Sequence, residues 1–273
     1  MLRGRSNLAL RIGSSLVLAP LAIAAAYFGG WVFLAFWMLA ALGVLWEWNG
    51  LVCGHDRNMV LALGVAALLG AGAFAAFGRP GFALLLIALG MLAVATLASR
   101  TRRTWCATGV AYAGTMLMAP VMLRGDANFG LVALLFVFAV VWATDIVAYF
   151  GGRALGGPKL MPNVSPNKTW SGAICGATGA IICGCGVASV AGISNLVAIG
   201  VLALALSVAS QAGDLFESAL KRRFDAKDAS NILPGHGGLM DRLDGFVTAC
   251  MGALLIGVAH GGIEHPARGL MVW

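Results

Sequence analysis

Long apolar runs, each broken after about 20 residues by a short polar or glycine-containing stretch, recur from one end of this chain to the other. A helix needs about 20 apolar residues to cross a hydrocarbon layer, so the pattern predicts spans at roughly 10–28, 31–51, 59–77, 82–99, 106–123, 129–150, 171–190, 196–216 and 246–260. The strict alternation of a membrane barrel is absent, and lipid-facing backbone must then be satisfied inside helices. The expected fold is therefore all-α, a polytopic integral membrane helix bundle of about nine spans. Thr108, Gly109, Gly114 and Pro120 weaken the fifth span, and the ninth is short and glycine-rich; either is expected to tilt or re-enter. The run from Ile12 to Phe28 follows Arg3, Arg5 and Arg11 as a signal peptide would, but its length and lack of a cleavage site make it the first span. Residues 1–128 are expected to form a scaffold of helices, and 129–273 a catalytic region with loops at 151–170 and 217–245.

Composition agrees: 60% of the 273 residues are hydrophobic and 11% charged. The net charge of +7 raises the possibility of nucleic-acid binding, but the cations lie in short clusters between apolar runs, where topology explains them first. With the N-terminus inside, fifteen of the 18 Lys and Arg residues fall on one side and only Arg79, Arg124 and Arg268 on the other. That partition predicts a cytoplasmic N-terminus, an inner-membrane location and no nucleic-acid partner. The six cysteines show no metal-ligand grouping with histidine, so they are read as packing residues without disulfides.

Against this background the polar residues inside spans stand out. Asp145 lies within the sixth span and Asp214 near the end of the eighth. An acid at the centre of a spanning helix costs about 2.5–3.5 kcal/mol, which implies a partner or a water-filled cavity. Asp145 is expected about 8 Å from the cytoplasmic end of its helix. Glu47 approaches the same face between Trp46 and Trp48 and is read as structural. The segment Ser218–Asp244 is the densest polar stretch in the chain. Lys221, Arg222, Arg223 and Lys227 offer cations to phosphate oxygens, and Gly235, Gly237 and Gly238 let backbone N–H groups approach an anion. Asp241 and Asp244, three residues apart, share a helical face as a common cation requires, and oxygen donors without a Cys/His cluster favour Mg²⁺ over zinc. Local readings compete: cations as topology signal, Pro-Gly and Gly-Gly as turns, an Asp as helix cap. His236 is open to three roles, as general base, phosphate donor or loop residue. The loop Gly151–Gly172 adds Arg153, Lys159 and Lys168 with Ser165, Asn167 and Thr169, a composition suited to a lipid head group or to topology alone.

The pattern S-A-L-K-R-x-x-x-x-K-D-x-S-x-x-L-P-x-H-G-G-L-x-D-R-L-D over Ser218–Asp244 resembles the signature of the phosphatidate cytidylyltransferase, or CDP-diacylglycerol synthase, family. D-I-V-A-Y-F-G-G-R from Asp145 and S-P-N-K-T-W-S-G from Ser165 resemble further blocks of it, with Ser171 where many members carry Glu. The resemblance implies the reaction of CTP with phosphatidate to give CDP-diacylglycerol and pyrophosphate, with Mg²⁺ and room for a second, monovalent ion. It further implies Asp214, Asp241 and Asp244 at the metal, and Lys221, Arg222, Lys227 and His236 near phosphates. Asp145, Ser165, Lys168, Asp228, Gly237, Gly238 and Arg242 are expected beside substrate. The expected partners are CTP, phosphatidate and membrane lipid, with a homodimer as a further possibility. A phosphate monoester with a second pKa of about 6 is already ionised near neutrality and needs no strong base, which favours the donor role for His236. Two rivals stay open: a CTP-dependent lipid-alcohol kinase, which would release CDP instead of pyrophosphate, and a transporter, which would need polar groups through both halves of the membrane.

Overall fold

The computed structural model describes residues 17–230, 232 and 237–273. The chain is a multi-pass membrane protein. Among the described residues, eight helices are long and apolar enough to span a bilayer, preceded by a shorter apolar helix, α1 (described as Val17–Phe28). The long helices are α2 (Gly30–Val52), α3 (Arg57–Ala76, entered through a single 3-10 turn at Gly54–Asp56), α4 (Pro80–Leu97) and α5 (Arg103–Arg124). They continue as α6 (Gly130–Leu155), α7 (Trp170–Val190), α8 (Leu196–Arg223) and α9 (Met240–Gly261), followed by the short α10 (Pro266–Met271). Arg3, Arg5 and Arg11, on which the topology argument leans, lie outside the described residues.

Three boundaries differ from the hydropathy reading. The fifth span is an unbroken helix despite its two glycines and its proline. Gly109 is where the Trp48 indole packs, and Gly114 is where Ile87 packs, so these glycines mark close contacts rather than breaks. The eighth helix runs past its apolar part to Arg223, and the ninth starts at Met240, six residues before the predicted span. Both extensions are polar, which is why hydropathy alone truncates them. The sixth helix reaches Leu155, so Asp145 lies roughly 15 Å from its C-terminal end at 1.5 Å per residue, deeper than expected. The loop between α6 and α7 also holds an antiparallel hairpin that apolar periodicity does not reveal, β1 (Lys159–Met161) and β2 (Ser165–Thr169).

The helices form two compact units. The first comprises Met1–Val121, described from Val17, together with Phe224–Leu243; the second comprises Met122–Arg223 with Asp244–Trp273. The polar segment Phe224–Leu243 thus packs among the N-terminal helices. In the first unit the Trp48 Nε1–H donates to the Trp105 carbonyl at 2.8 Å, and the Arg102 guanidinium donates to the Val52 carbonyl at 2.8 Å.

In the second unit α6 and α7 approach through small residues. A methyl at Gly172 would meet the Ala148 carbonyl at 2.9 Å, and one at Gly176 would meet the Thr144 carbonyl at 2.7 Å. Lipid tails are as apolar as leucine, so helices in a bilayer gain little by hiding apolar surface from one another and associate through such close packing. Exposed Leu39, Leu92, Val197 and Val201 fit a lipid solvent. Buried polar links fix the register of α6 on α8, where the Thr144 hydroxyl lies 2.8 Å from that of Ser207.

Candidate active site

In the second unit α8 and α9 cross at two glycines. A Cβ at Gly213 would lie 2.8 Å from the Asp244 carbonyl oxygen and 2.6 Å from Thr248 Cγ2, and one at Gly245 would lie 3.3 Å from the Ser210 carbonyl oxygen. Each glycine adjoins one of the expected acids, Gly213 beside Asp214 and Gly245 beside Asp244, so the close crossing carries the two carboxylates toward each other. Asp244 feels the negative charges of Asp214, Glu217 and Asp145 together. Its Oδ1 accepts from the Gly245 amide at 2.8 Å. Asp214 and Asp244 are half-buried and Asp145 is exposed.

Two lysines answer part of this negative charge. Lys168, carried by β2, makes an ion pair with Asp214. Lys221, in the last turn of α8, pairs with the buried Glu217 at 2.7 Å. Glu217 was not among the expected residues; its signal was there, since it stands four residues before Lys221 on a helix face. Ser165 is half-buried at the start of β2, and Arg222 is exposed at the end of α8. The hairpin is tied to α7 by local caps: Thr169 Oγ1 accepts from the Gly172 amide at 3.1 Å, and the Ser171 hydroxyl donates to the Gly156 carbonyl. Ser171 therefore has a positional use where a glutamate was expected.

In the first unit the segment that resembles the family signature is held at both ends by carboxylates. The Phe224 ring meets Trp105 edge-on, with centroids 5.9 Å apart, and lies beneath the Arg102 guanidinium. Asp241 Oδ2 accepts from the amides of Ala229 at 3.1 Å and Gly238 at 2.7 Å. The Gly237–Gly238 step is demanded by this arrangement. Gly237 has φ +83°, and a Cβ there would meet Asp241 Oδ2 at 2.9 Å; one at Gly238 would meet Glu47 Oε1 at 2.9 Å. The amide of Gly238, which the sequence reading offered to a phosphate, is thus engaged by a carboxylate of the protein itself. Lys227, Asp228 and Arg242 are exposed. His236 and Gly235 lie outside the described residues.

Glu47 is the residue whose role the sequence understated. Its carboxylate is 1% exposed. It accepts from the Ser230 hydroxyl at 2.5 Å, the Leu239 amide at 2.7 Å and the Met240 amide at 2.6 Å. The flanking tryptophans pointed to an interfacial position, and nothing local pointed to partners some 190 residues away.

The donor chemistry of the second unit fits a hard divalent cation, since Asp214 and Asp244 are oxygen ligands set among further negative charge. Among the described residues, no three His, Cys, Asp or Glu side chains already stand at ligand spacing. Asp241 belongs to the first unit and Asp214 and Asp244 to the second.

A model of the cytidylyltransferase family matches residues 9–258. A protein of Brucella suis biovar 1 named phosphatidate cytidylyltransferase is 44% identical over 265 residues, covering 96% of this chain and 97% of its own. A protein of the same name from Rickettsia bellii is 30% identical over 89% of this chain and 87% of its own. One from Bacillus subtilis is 42% identical over about half of each, 50% and 51%.

Proposed function

The chain belongs to the cytidylyltransferase family, and from that premise we propose that it is a phosphatidate cytidylyltransferase, converting CTP and phosphatidate to CDP-diacylglycerol and pyrophosphate. The observation that carries the reading is the 44% identity over nearly the whole of both chains to a protein of that name. The acid and lysine cluster of the second unit supports it with suitable chemistry.

In the reaction, a phosphate oxygen of phosphatidate attacks the α-phosphorus of CTP in line. One P–O bond forms, the bond to the β-phosphate breaks, and pyrophosphate leaves with its electron pair. The phosphate monoester is largely ionised at neutral pH, so the protein need not abstract a proton. Its work is positioning and charge neutralisation. Lys168 is suited to the phosphatidate head group, since β2 carries it to Asp214, and Arg222 and Lys227 are exposed cations for phosphate oxygens. Asp214 and Asp244 would hold Mg²⁺. When bound, the ion would neutralise charge developing on the phosphates.

The partition of Lys and Arg supports an inner-membrane protein whose site faces the cytoplasm, where CTP is available. The test is to incubate detergent-purified protein with labelled CTP, phosphatidate and Mg²⁺, extract the lipid and identify the released product. Label in the lipid fraction with pyrophosphate released is expected. Release of CDP with a phosphorylated lipid alcohol would replace this reading with a kinase, and no labelled lipid at all would reject it.

A further inference from the structure

Glu47 takes no part in the chemistry just described, yet it is among the most completely enclosed acids in the protein. It lies in the apolar helix α2, 1% exposed, and three donors converge on its two oxygens. Two of them, the amides of Leu239 and Met240, are N–H groups that a helix start leaves without intrahelical acceptors. A carboxylate there satisfies them and complements the positive end of the helix dipole. The third donor, the Ser230 hydroxyl, lies on the opposite flank of the signature segment. Ser230 Oγ in turn accepts from the Ile232 amide at 3.2 Å. One side chain thus grips Ser230 on one flank and Leu239 and Met240 on the other, while Asp241 ties Ala229 to Gly238 beside it.

We infer that Glu47 is a positioning residue for the nucleotide-handling segment: it sets the spacing between the two flanks, and through them the placement of Lys227, Asp228 and the start of α9. The inference rests on the phosphatidate cytidylyltransferase reading for its kinetic consequence but not for its structural one. Lys227 and Arg242, the exposed cations of this segment, suit the triphosphate of CTP, whereas Lys168 sits in a different unit. Loss of Glu47 should therefore be felt in the use of CTP before that of phosphatidate.

The test compares Glu47→Gln, Glu47→Asp and Ser230→Ala in the full-length protein in detergent. Glu47→Gln keeps the size but replaces one acceptor by an NH₂ group facing N–H donors. It is expected to raise the KM for CTP about tenfold or more, the scale of losing charge-assisted hydrogen bonds, with the phosphatidate KM unchanged. Ser230→Ala removes one donor only and should shift the same constant by a few-fold. Glu47→Asp retains the charge on a shorter stem and should fall between Glu47→Gln and the parent. Independently of activity, hydrogen exchange in peptides covering 227–243 should quicken in Glu47→Gln, while peptides of α6 and α7 stay at parent rates. Unchanged exchange at 227–243 would overturn the inference whatever the enzyme does. So would equal changes in both KM values together with faster exchange everywhere, because that pattern marks general loosening. A parent protein that labels no lipid defeats the proposed function instead, and leaves the exchange experiment to decide the role of Glu47.

Discussion

Replacing Gly213 with alanine puts a methyl group into the closest point of the α8–α9 crossing. The new Cβ would lie 2.8 Å from the Asp244 carbonyl oxygen and 2.6 Å from Thr248 Cγ2, where ordinary contact begins at 3.4 Å. Thr248 can rotate away, but the carbonyl belongs to the backbone of α9 and cannot. The helices must therefore separate locally by roughly 0.6 Å or more, a strain of the kind that costs about 1–3 kcal/mol. The carbonyl belongs to Asp244 itself and Asp214 follows Gly213, so the displacement falls on the pair expected to share a cation. Misplacement on the order of 1 Å can cost about a hundredfold in rate. Turnover in mixed micelles of phosphatidate should thus drop roughly ten- to hundredfold, beyond what the lost stability explains. Gly252→Ala is the matched control at the same interface, because its Cβ would meet the Leu206 Cδ2 methyl at 3.3 Å and Ala209 Cβ at 3.9 Å, side chains rather than backbone. Adding Thr248→Ala to Gly213→Ala should restore part of the stability but little of the turnover, since the carbonyl clash persists. Parent-like turnover in Gly213→Ala, or equal loss in the Gly252 control, would refute the argument that this crossing sets the carboxylate geometry.

Three further outcomes are expected. Asp244→Asn and Asp241→Asn should each remove most CTP incorporation while leaving an inserted, folded protein. Asp241→Asn should in addition quicken hydrogen exchange at 229–238, because its oxygen accepts from Ala229 and Gly238; near-normal incorporation by both variants would reject their roles. Lys168→Ala should raise the KM for phosphatidate about tenfold while changing that for CTP much less, and separate titrations showing the reverse would reassign the lysine. Removing divalent ions with a chelator should abolish lipid labelling and Mg²⁺ should restore it. Full activity after chelation would remove the ion from the mechanism.

The spans were legible because bilayer thickness imposes a length and an apolarity on every one of them. All eight long helices overlap a predicted run, and the misjudged edges are those where polar residues continue a helix beyond the apolar layer, at Lys221–Arg223 and Met240–Asp244. Gly109 and Gly114 misled for the complementary reason: a glycine that costs helix propensity in water serves a membrane helix by admitting Trp48 and Ile87. At the site, Asp214 was legible as a charge placed where charge is expensive, Asp244 by its spacing from Asp241, and Lys168 as a cation of a polar loop, and the structure brings all three into one unit. The role of Glu47 was not. Its partners are two backbone amides and a serine far along the chain, and backbone amides leave no trace in a sequence. The β1–β2 hairpin was missed for a similar reason, since its two short strands carry no alternating apolar pattern.

The partners that each acid takes divide the carboxylates of this protein into two kinds. Glu47 and Asp241 receive backbone N–H groups, which are fixed in place and balance the carboxylates with oriented dipoles. Asp244 also accepts one such group, from Gly245, but it bears in addition the negative charges of Asp214, Glu217 and Asp145. Like charges brought together away from bulk water repel, so crowding of this sort needs positive charge to offset it. Lys168 and Lys221 supply part of that charge. A divalent ion held by Asp214 and Asp244 would supply more of it. Asp241 is compatible with either kind, because a carboxylate has about four acceptor positions and two N–H bonds do not exhaust them. The repulsion within the second unit is therefore the physical ground for proposing the cation at Asp214 and Asp244.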